Sequence, residues 1–255
     1  MENKPNGYVK TQIQANIARV TFAHPSHNAL PAPLLEKLVA TFQKLDKNEA
    51  VRVIVLQSGG DRTFCAGASF DELLAIKNGE KGQQFFLGFA NVINAMRTCS
   101  KLIIGKVQGK AVGGGVGLAA ATDYCLATKY AAIRLSELAI GIGPFVIEPA
   151  VSRKIGQGAT AELSIGTAWK DAQWALQKGL YAEVFEDGVQ LEKAVQDLAE
   201  RLRKSNPEAA TALKKIFWQG TDHWDELLPQ RAAISGQLVL SDFTKQALEA
   251  FKNKE

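Results

Sequence analysis

A run of three glycines, Gly113-Gly114-Gly115, has the composition of a backbone site for a ligand oxygen. It follows an apolar, strand-like run over Leu102–Val107 and stands where small residues begin a helix. The first N–H groups of a helix have no partner within it, and glycine lets a ligand atom approach them closely. These features predict a site for a phosphate or for a carbonyl oxygen that becomes an enolate. Tight helix packing is a third explanation of the glycines.

A second turn of small residues, Ala66-Gly67-Ala68, repeats the same design of apolar strand, tight bend and helix. In an α/β layer, loops that leave the same ends of neighbouring strands converge on one crevice. Backbone N–H groups from the two turns would then hold one oxygen between them, as an oxyanion hole does. Each donor of such a pair stabilises a transition state by roughly a few kcal/mol. The arrangement suits a thioester carbonyl that turns into an enolate.

Two nucleotide-binding patterns are alternatives for the glycine run. The Walker pattern fails, because the segment from Gly105 to Gly109-Lys110 is one residue too short and continues with Ala111. The segment 115–120 satisfies GxGxxA, and Glu137 follows about twenty residues later, where a ribose-binding acid is expected. The helix in between has room for about two turns, which is short for a dinucleotide crossover. A dinucleotide-binding oxidoreductase stays an alternative of another fold class.

Composition excludes several other classes of protein. The chain has 255 residues, enough for one large domain, and its formal charge of +4 is scattered, which argues against a nucleic-acid partner. No Cys or His falls at a metal-ligand spacing, so no metal site is expected. The first ten residues are polar and no window is long enough to span a bilayer, so a cytoplasmic protein without membrane association is expected.

Apolar periodicity predicts the elements around these turns. Residues 8–14 and 17–22 are expected to form a hairpin, 34–42 a helix, 51–56 a buried strand and 83–99 a long helix. Strands and helices alternate up to about residue 135, and the remainder is expected to be helical throughout. This order predicts an α/β core with a helical C-terminal part.

Five motifs of the chain, in their order, resemble those of the enoyl-CoA hydratase/isomerase (crotonase) family. They are Asn28-Ala29-Leu30, 64–68, the glycine run from Gly109 to Asp123, 136–142 and the ending 241–251. The resemblance covers nearly the whole chain. It implies an α/β fold, a crotonase-like spiral of ββα repeats, formed by residues 1–195 and carrying the active site. Residues 196–255 would form a helical C-terminal region that assembles trimers or pairs of trimers.

The resemblance also implies an enzyme of fatty acid metabolism that acts on an acyl-CoA thioester, with no cofactor apart from the coenzyme A of the substrate. Glu137 would be the acid/base, and the N–H groups of Ala68 and Gly114 would hold the thioester oxygen. Substrate contacts are expected from two further groups of residues. They are Asn28, Ala29, Leu30, Ala66, Gly67 and Phe70 along the CoA, and Gly113, Gly117, Phe145, Phe251 and Lys254, of which Phe251 and Lys254 would reach the CoA of a neighbouring subunit.

The chain departs from the hydratases of this family at one position. They resemble one another in having two glutamates, and the first of these falls on Gly117 here, whereas the second matches Glu137. Hydration suits two carboxylates, but moving a double bond from position 3 to position 2 needs only one base. Isomerisation is therefore slightly favoured over hydration. An acyl-CoA-binding homologue with impaired catalysis is the non-enzyme alternative.

Two nearby acidic residues and one aromatic residue bear on this choice. Dienoyl-CoA isomerases and aryl-CoA dehalogenases of the family carry an aspartate where this chain has Phe145, which disfavours both reactions. Glu148 is close enough in sequence to be a displaced second carboxylate, although an ion-paired or solvated role is favoured. Asp123, at the end of the short helix, is expected to have a structural role.

Overall fold

The computed structural model describes residues 7–252, and the side chains of residues 7–250. This part of the chain forms nine strands and eleven α-helices. The strands are β1 Tyr8–Gln14, β2 Ile17–Ala23, β3 Val53–Ser58, β4 Thr63–Cys65, β5 Leu102–Val107, β6 Lys110–Val112, β7 Tyr124–Thr128, β8 Ile133–Arg134 and β9 Glu183–Phe185. The helices are α1 Ala32–Asp46, α2 Phe70–Leu74, α3 Gly79–Thr98, α4 Gly114–Ala120, α5 Glu148–Ile155, α6 Gln157–Gly166, α7 Ala172–Gln177, α8 Gly188–Arg203, α9 Pro207–Phe217, α10 Trp224–Leu238 and α11 Asp242–Lys252.

The strands form two sheets between which the chain repeatedly crosses. The larger sheet has the order β1-β2-β3-β5-β7-β9 and is parallel except for the β1–β2 hairpin. The smaller sheet has the order β4-β6-β8 and is parallel. Each of β3, β5 and β7 lies in the larger sheet and is followed by a short strand of the smaller sheet, after which the chain enters helix. This is the spiral of ββα repeats that the family resemblance predicts.

The central parallel strands of the larger sheet, β3 and β5, are buried on both faces, which explains their continuous apolar runs. Side chains at alternate positions of β3 point to opposite faces. Val53 and Val55 pack in a cluster with Leu191 of α8, whereas Ile54 and Leu56 belong to the main core on the other face. A polar side chain on either face of β3 would be buried in one of these two apolar clusters.

The predicted hairpin, the strand at Leu102–Val107 and the helices near 34–42 and 83–99 are confirmed, each within a few residues of its expected ends. The expectation of a purely helical segment after residue 135 is wrong. β9 pairs in parallel with β7 and completes the edge of the larger sheet. Its three residues are too few to show a period-2 pattern, and Glu183 is exposed, so neither periodicity nor hydrophobicity marks it.

Asp123 is a buried anchor between the sheet and the C-terminal helices. Its Oδ2 accepts hydrogen bonds from the Ile103 N–H at 2.7 Å and from Lys214 Nζ at 2.9 Å, and its Oδ1 accepts one from Trp218 Nε1 at 3.0 Å. The side chains of Asp123 and Lys214 are only 4% and 2% exposed. The structural role expected for Asp123 is confirmed.

The C-terminal helices share the main core with the preceding part of the chain. Trp218, Trp224, Leu228 and Ala232 all belong to the central cluster. The boundary expected at residue 195 falls inside α8, which covers one face of the larger sheet. The assembly role expected for residues 196–255 stays a prediction. Among the described residues, no helix combines the length and the apolar character that crossing a bilayer requires.

Candidate active site

The two small-residue turns lie in direct contact. A Cβ placed on Gly67 would be 3.6 Å from the backbone N of Gly114, and one placed on Gly115 would be 2.5 Å from the carbonyl oxygen of Cys65. The turn that follows β4 therefore lies against the start of α4. Only residues without bulky side chains allow this approach, which explains the small residues in both turns.

The N–H groups expected to hold an oxygen are free of internal partners. Within residues 7–252, neither the Ala68 N–H nor the Gly114 N–H donates a hydrogen bond, and both residues are partly exposed. The neighbouring polar groups are occupied, since the Gly67 carbonyl accepts from Leu30 N at 2.8 Å and the Ala66 N–H donates to the His27 carbonyl at 3.2 Å. Two unused donors thus remain at the contact between the turns, as an oxyanion hole requires.

Gly113 connects this contact to the acidic residue. Its φ of +52° lies in the left-handed region, where a side chain is strained, and its N–H donates to the Arg134 carbonyl of β8 at 2.9 Å. A Cβ at this position would lie 2.7 Å from Oε1 of Glu137. The chain that continues from β8 therefore places the Glu137 carboxyl group against Gly113, the residue that precedes Gly114.

Glu137 has the environment of a group that exchanges protons near neutral pH. It precedes a 3-10 turn over Leu138–Ile140, and its Oε2 is buried without any hydrogen-bond partner in the described structure. Burial raises the pKa of Glu137 to about 7, and the backbone N–H groups of Glu137 and Ser136 oppose that rise only in part. At neutral pH the protonated and ionised forms are therefore both well populated.

Glu148 forms an ion pair. Its Oε2 contacts Nη1 of Arg231, which also donates to the Phe145 carbonyl at 3.2 Å. This confirms the ion-paired interpretation over that of a displaced second carboxylate. Phe145, expected at the substrate, is half-buried, and its ring lies over Gly143.

Gly117 is covered by apolar side chains. A Cβ there would lie 2.6 Å from Cγ2 of Ile147 and 3.6 Å from Cδ1 of Ile93. The expectation that Gly117 contacts substrate stays a prediction, but the nearest atoms to this position belong to isoleucines. Ile147 was not identified from the sequence, because its contact with residue 117 depends on how α5 packs against α4.

Asn28 supports a loop with its side chain. Its Oδ1 accepts from the His24 N–H at 2.9 Å, and its Nδ2 donates to the carbonyls of Gly59 and Thr63, both at 2.8 Å. Asn28, Ala29 and Leu30 are all buried. The amide of Asn28 is thus fully occupied, and any contact with CoA at 28–30 would come from the backbone. The Phe251 side chain and Lys254, expected at a neighbouring subunit's CoA, lie outside the described residues.

An apolar cluster includes residues of the loop that follows Glu137. Leu73, Ile142, Val239 and Leu248 are buried in it, and several partly buried side chains pack around them: Phe70, Ile76, Phe85, Phe86, Ile140 and Leu240. The cluster joins α2, α3, the loop after Glu137 and the C-terminal helices. Its partly buried members have the character required for contact with an acyl chain. Of this group, only Phe70 was expected at the substrate from the sequence.

Comparison with known proteins agrees with this architecture. The family model described as enoyl-CoA hydratase/isomerase matches residues 12–255. An enoyl-CoA hydratase of Alternaria alternata is 31% identical, with 87% of this chain and 72% of the relative covered. A peroxisomal Delta(3,5)-Delta(2,4)-dienoyl-CoA isomerase of Arabidopsis thaliana is 25% identical, with 95% and 92% covered. The crystal structure of an enoyl-CoA hydratase from Bacillus halodurans superposes with a TM-score of 0.88 at 23% identity, covering 95% of this chain and 99% of that one.

The chain therefore belongs to the enoyl-CoA hydratase/isomerase family. Its fold is the crotonase fold of its structural neighbours. The dinucleotide alternative does not fit this architecture, because α4 is only seven residues long and the strand before it, β6, lies in the smaller sheet. A dinucleotide fingerprint requires strand, glycine turn and helix within one βαβ unit of a single sheet.

Proposed function

We propose that this protein moves the double bond of an enoyl-CoA thioester from position 3 to position 2, with Glu137 as its only acid/base. One observation carries the proposal: a carboxyl group whose buried Oε2 has no hydrogen-bond partner in the described structure lies against Gly113, next to the free N–H of Gly114. The position where the family's hydratases have the first of their two glutamates is Gly117 here, and the atoms nearest to a Cβ at that position belong to isoleucines.

The proposed reaction uses one proton and one carboxylate. Ionised Glu137 removes a proton from C2, and the thioester carbonyl becomes an enolate whose oxygen is held by the N–H groups of Ala68 and Gly114. The electrons of the broken C2–H bond end in the new C2–C3 double bond. The electrons of the former C3–C4 double bond form the new bond to the proton at C4. Protonated Glu137 donates that proton and returns to its ionised form. A pKa near 7 suits a group that must both take and give a proton.

Hydration of a 2-enoyl-CoA is the second candidate. Its support is the similarity to the Alternaria relative, an enoyl-CoA hydratase. Hydration adds a water oxygen at C3 and a proton at C2, and the water must be oriented and deprotonated as it attacks. With Glu137 as the only acid/base, as proposed, one group would have to serve both steps. The buried Glu137 carboxyl group, with its raised pKa and an Oε2 that has no partner in the described structure, argues against the third possibility, a binding protein without catalytic activity.

The test is to offer the purified protein 3-enoyl-CoA and 2-enoyl-CoA thioesters of several chain lengths. We expect isomerisation of the 3-enoyl substrate, and a loss of about 10²- to 10⁴-fold in rate for Glu137→Gln. Glu49→Gln, the same change at an exposed position after α1, is the matched control and should keep the wild-type rate. The proposal is wrong if neither substrate reacts, if Glu137→Gln keeps its rate, or if hydration of the 2-enoyl substrate is the faster reaction.

The assembly expected from the family resemblance is part of the same proposal. α9 exposes Leu213, Ile216 and Phe217, which are spaced three and four residues apart and therefore share one face of the helix. These side chains are 44%, 64% and 44% exposed. A face of this kind is typical of a subunit interface, and we propose that it forms the trimer.

A further inference from the structure

The geometry of α4 would point a side chain at residue 117 toward the Glu137 carboxyl group. Gly113 is the N-cap residue of α4, and the Gly117 N–H donates to the Gly113 carbonyl at 3.2 Å, so residue 117 lies one helical turn after Gly113. Cα–Cβ bonds in a helix tilt toward its N-terminus. A side chain at 117 would therefore extend toward Gly113 and the Glu137 carboxyl that lies against it. A carboxylate in this direction could act on the same substrate atoms as Glu137.

Ile147 occupies the beginning of that path. Its Cγ2 and Cβ lie 2.6 Å and 2.8 Å from the position that a Cβ at residue 117 would take. Ile147 is 4% exposed, and its backbone is fixed at the start of α5, with its N–H donating to the Pro144 carbonyl and its carbonyl accepting from Val151 N. A β-branched side chain held in this way has little rotamer freedom with which to move aside.

The same side chain removes a place for water. The atoms nearest to position 117 are carbons of Ile147 and Ile93, and neither side chain has a polar atom to hold a water molecule. A buried water needs two to four polar partners. The side-chain atoms nearest to a Cβ at position 117 therefore offer no polar partner to a water molecule and leave little space for a second carboxylate.

We infer that Ile147 is a specificity-determining residue, which commits the site to chemistry with one carboxylate and excludes the addition of water. This inference rests on the proposed function and deepens it. The site then differs from a two-carboxylate site in two ways: residue 117 is a glycine, and Ile147 fills the space that a glutamate at 117 would need.

The test combines substitutions at both positions: Gly117→Glu, Ile147→Ala and the double variant. Hydration of 2-enoyl-CoA and isomerisation of 3-enoyl-CoA are measured for each. We expect neither single variant to hydrate faster than wild type, and the double variant to exceed both by at least about tenfold, at the lower end of what one acid/base group contributes. Gly117→Glu with Val151→Ala is the matched control, since it shortens another buried side chain of α5 and should show no such gain.

A second measurement tests the contact without requiring activity. Gly117→Ala adds only the Cβ, and overpacking of this kind should lower the melting temperature by roughly 3–10 °C. In the Ile147→Ala background the same change should cost much less, so the two effects on stability are not additive.

Three results would overturn the inference: strictly additive melting shifts, a Gly117→Glu single variant that hydrates as fast as the double variant, or a folded double variant with no gain in hydration. Failure of the proposed function is a different result. It would be seen if the wild-type protein did not isomerise 3-enoyl-CoA, or if Glu137→Gln isomerised it at the wild-type rate.

Discussion

Oε1 of Glu137 lies 2.7 Å from the point where a Cβ at Gly113 would stand. No residue with a side chain can take position 113 without displacing the carboxyl group, and the φ of +52° adds strain to any such substitution. The next N–H along the chain, that of Gly114, is a proposed donor to the thioester oxygen. The acid/base and one half of the oxyanion hole are therefore fixed relative to each other through a single residue.

The rate of isomerisation should follow the ionisation of Glu137. Its pKa is raised to about 7 by burial, and the ionised form is required to remove the C2 proton. We therefore expect kcat/KM to rise about tenfold per pH unit below neutrality and to level off above it. Initial rates between pH 5 and 9 measure this. A profile that is flat across the range, or that rises only below pH 5, would contradict the assignment.

The stability of the protein should also depend on Glu137. A carboxyl group with a raised folded-state pKa stabilises the protein fully below the unfolded pKa near 4.5, and this contribution is lost as pH rises through about 7. Glu137→Gln removes the dependence, so the variant should gain free energy of unfolding over wild type at pH 8, by at most about 3 kcal/mol. The gain should shrink toward pH 4.5. Urea unfolding at both pH values tests this, and a gain that is equal at pH 4.5 and pH 8 would argue against a buried, titrating carboxyl group.

A proton carried by one carboxyl group should be traceable from C2 to C4. Because Oε2 of Glu137 is buried, its exchange with solvent is slowed after it takes the proton. With 3-enoyl-CoA deuterated at C2, we expect part of the label at C4 of the product in a single turnover. Mass spectrometry and NMR of the product give the amount. A product with no deuterium at C4 would indicate either a second acid or rapid exchange with water.

The buried pair of Asp123 and Lys214 should be costly to break. Asp123→Ala leaves Lys214 buried without its anion, and we expect a loss of about 3–5 kcal/mol in the free energy of unfolding. Asp197→Ala, which breaks an exposed pair with Lys193, should cost less than about 1 kcal/mol and is the control. In the double variant Asp123→Ala with Lys214→Met, part of the loss should return. Full additivity of the two changes would show that the ion pair itself is unimportant.

The apolar face of α9 should mediate assembly. Ile216 is 64% exposed in the single chain, and Ile216→Glu would bury a charge in any interface formed there. We expect wild type to have the mass of a trimer or of paired trimers in sedimentation or light scattering, and Ile216→Glu to dissociate. Val189→Glu, at an 80% exposed apolar position on α8, is the matched control and should leave the mass unchanged. A monomeric wild-type protein would rule out this interface.

The parts that could be predicted from the sequence depend on local patterns. Gly113, Gly114 and the second turn at Ala68 were recognisable because small residues at strand ends and helix starts have few uses. The hairpin and the long helices follow from periodicity over many residues. The family was recognisable because five such patterns occur in a fixed order.

The parts that could not be predicted depend on packing between distant segments. Ile147 lies 30 positions after Gly117, and nothing in its own sequence context places it over α4. β9 is too short for periodicity, and its pairing with β7 is set by the sheet edge. The role of Asn28 as a loop support depends on the carbonyls of Gly59, just after β3 of the larger sheet, and of Thr63, at the start of β4 of the smaller sheet.

The bond between Lys214 and Asp123 joins residues that are 91 positions apart in the chain. During synthesis, the segment from β3 to β7 emerges long before α9, and its carboxylate at residue 123 then has no cation to pair with. The polar contacts that bury Asp123 beside β5 can be completed only after α9 has been synthesised. A nascent chain that ends before α9 therefore lacks Lys214 and Trp218, the two side chains that donate hydrogen bonds to Asp123 in the folded protein.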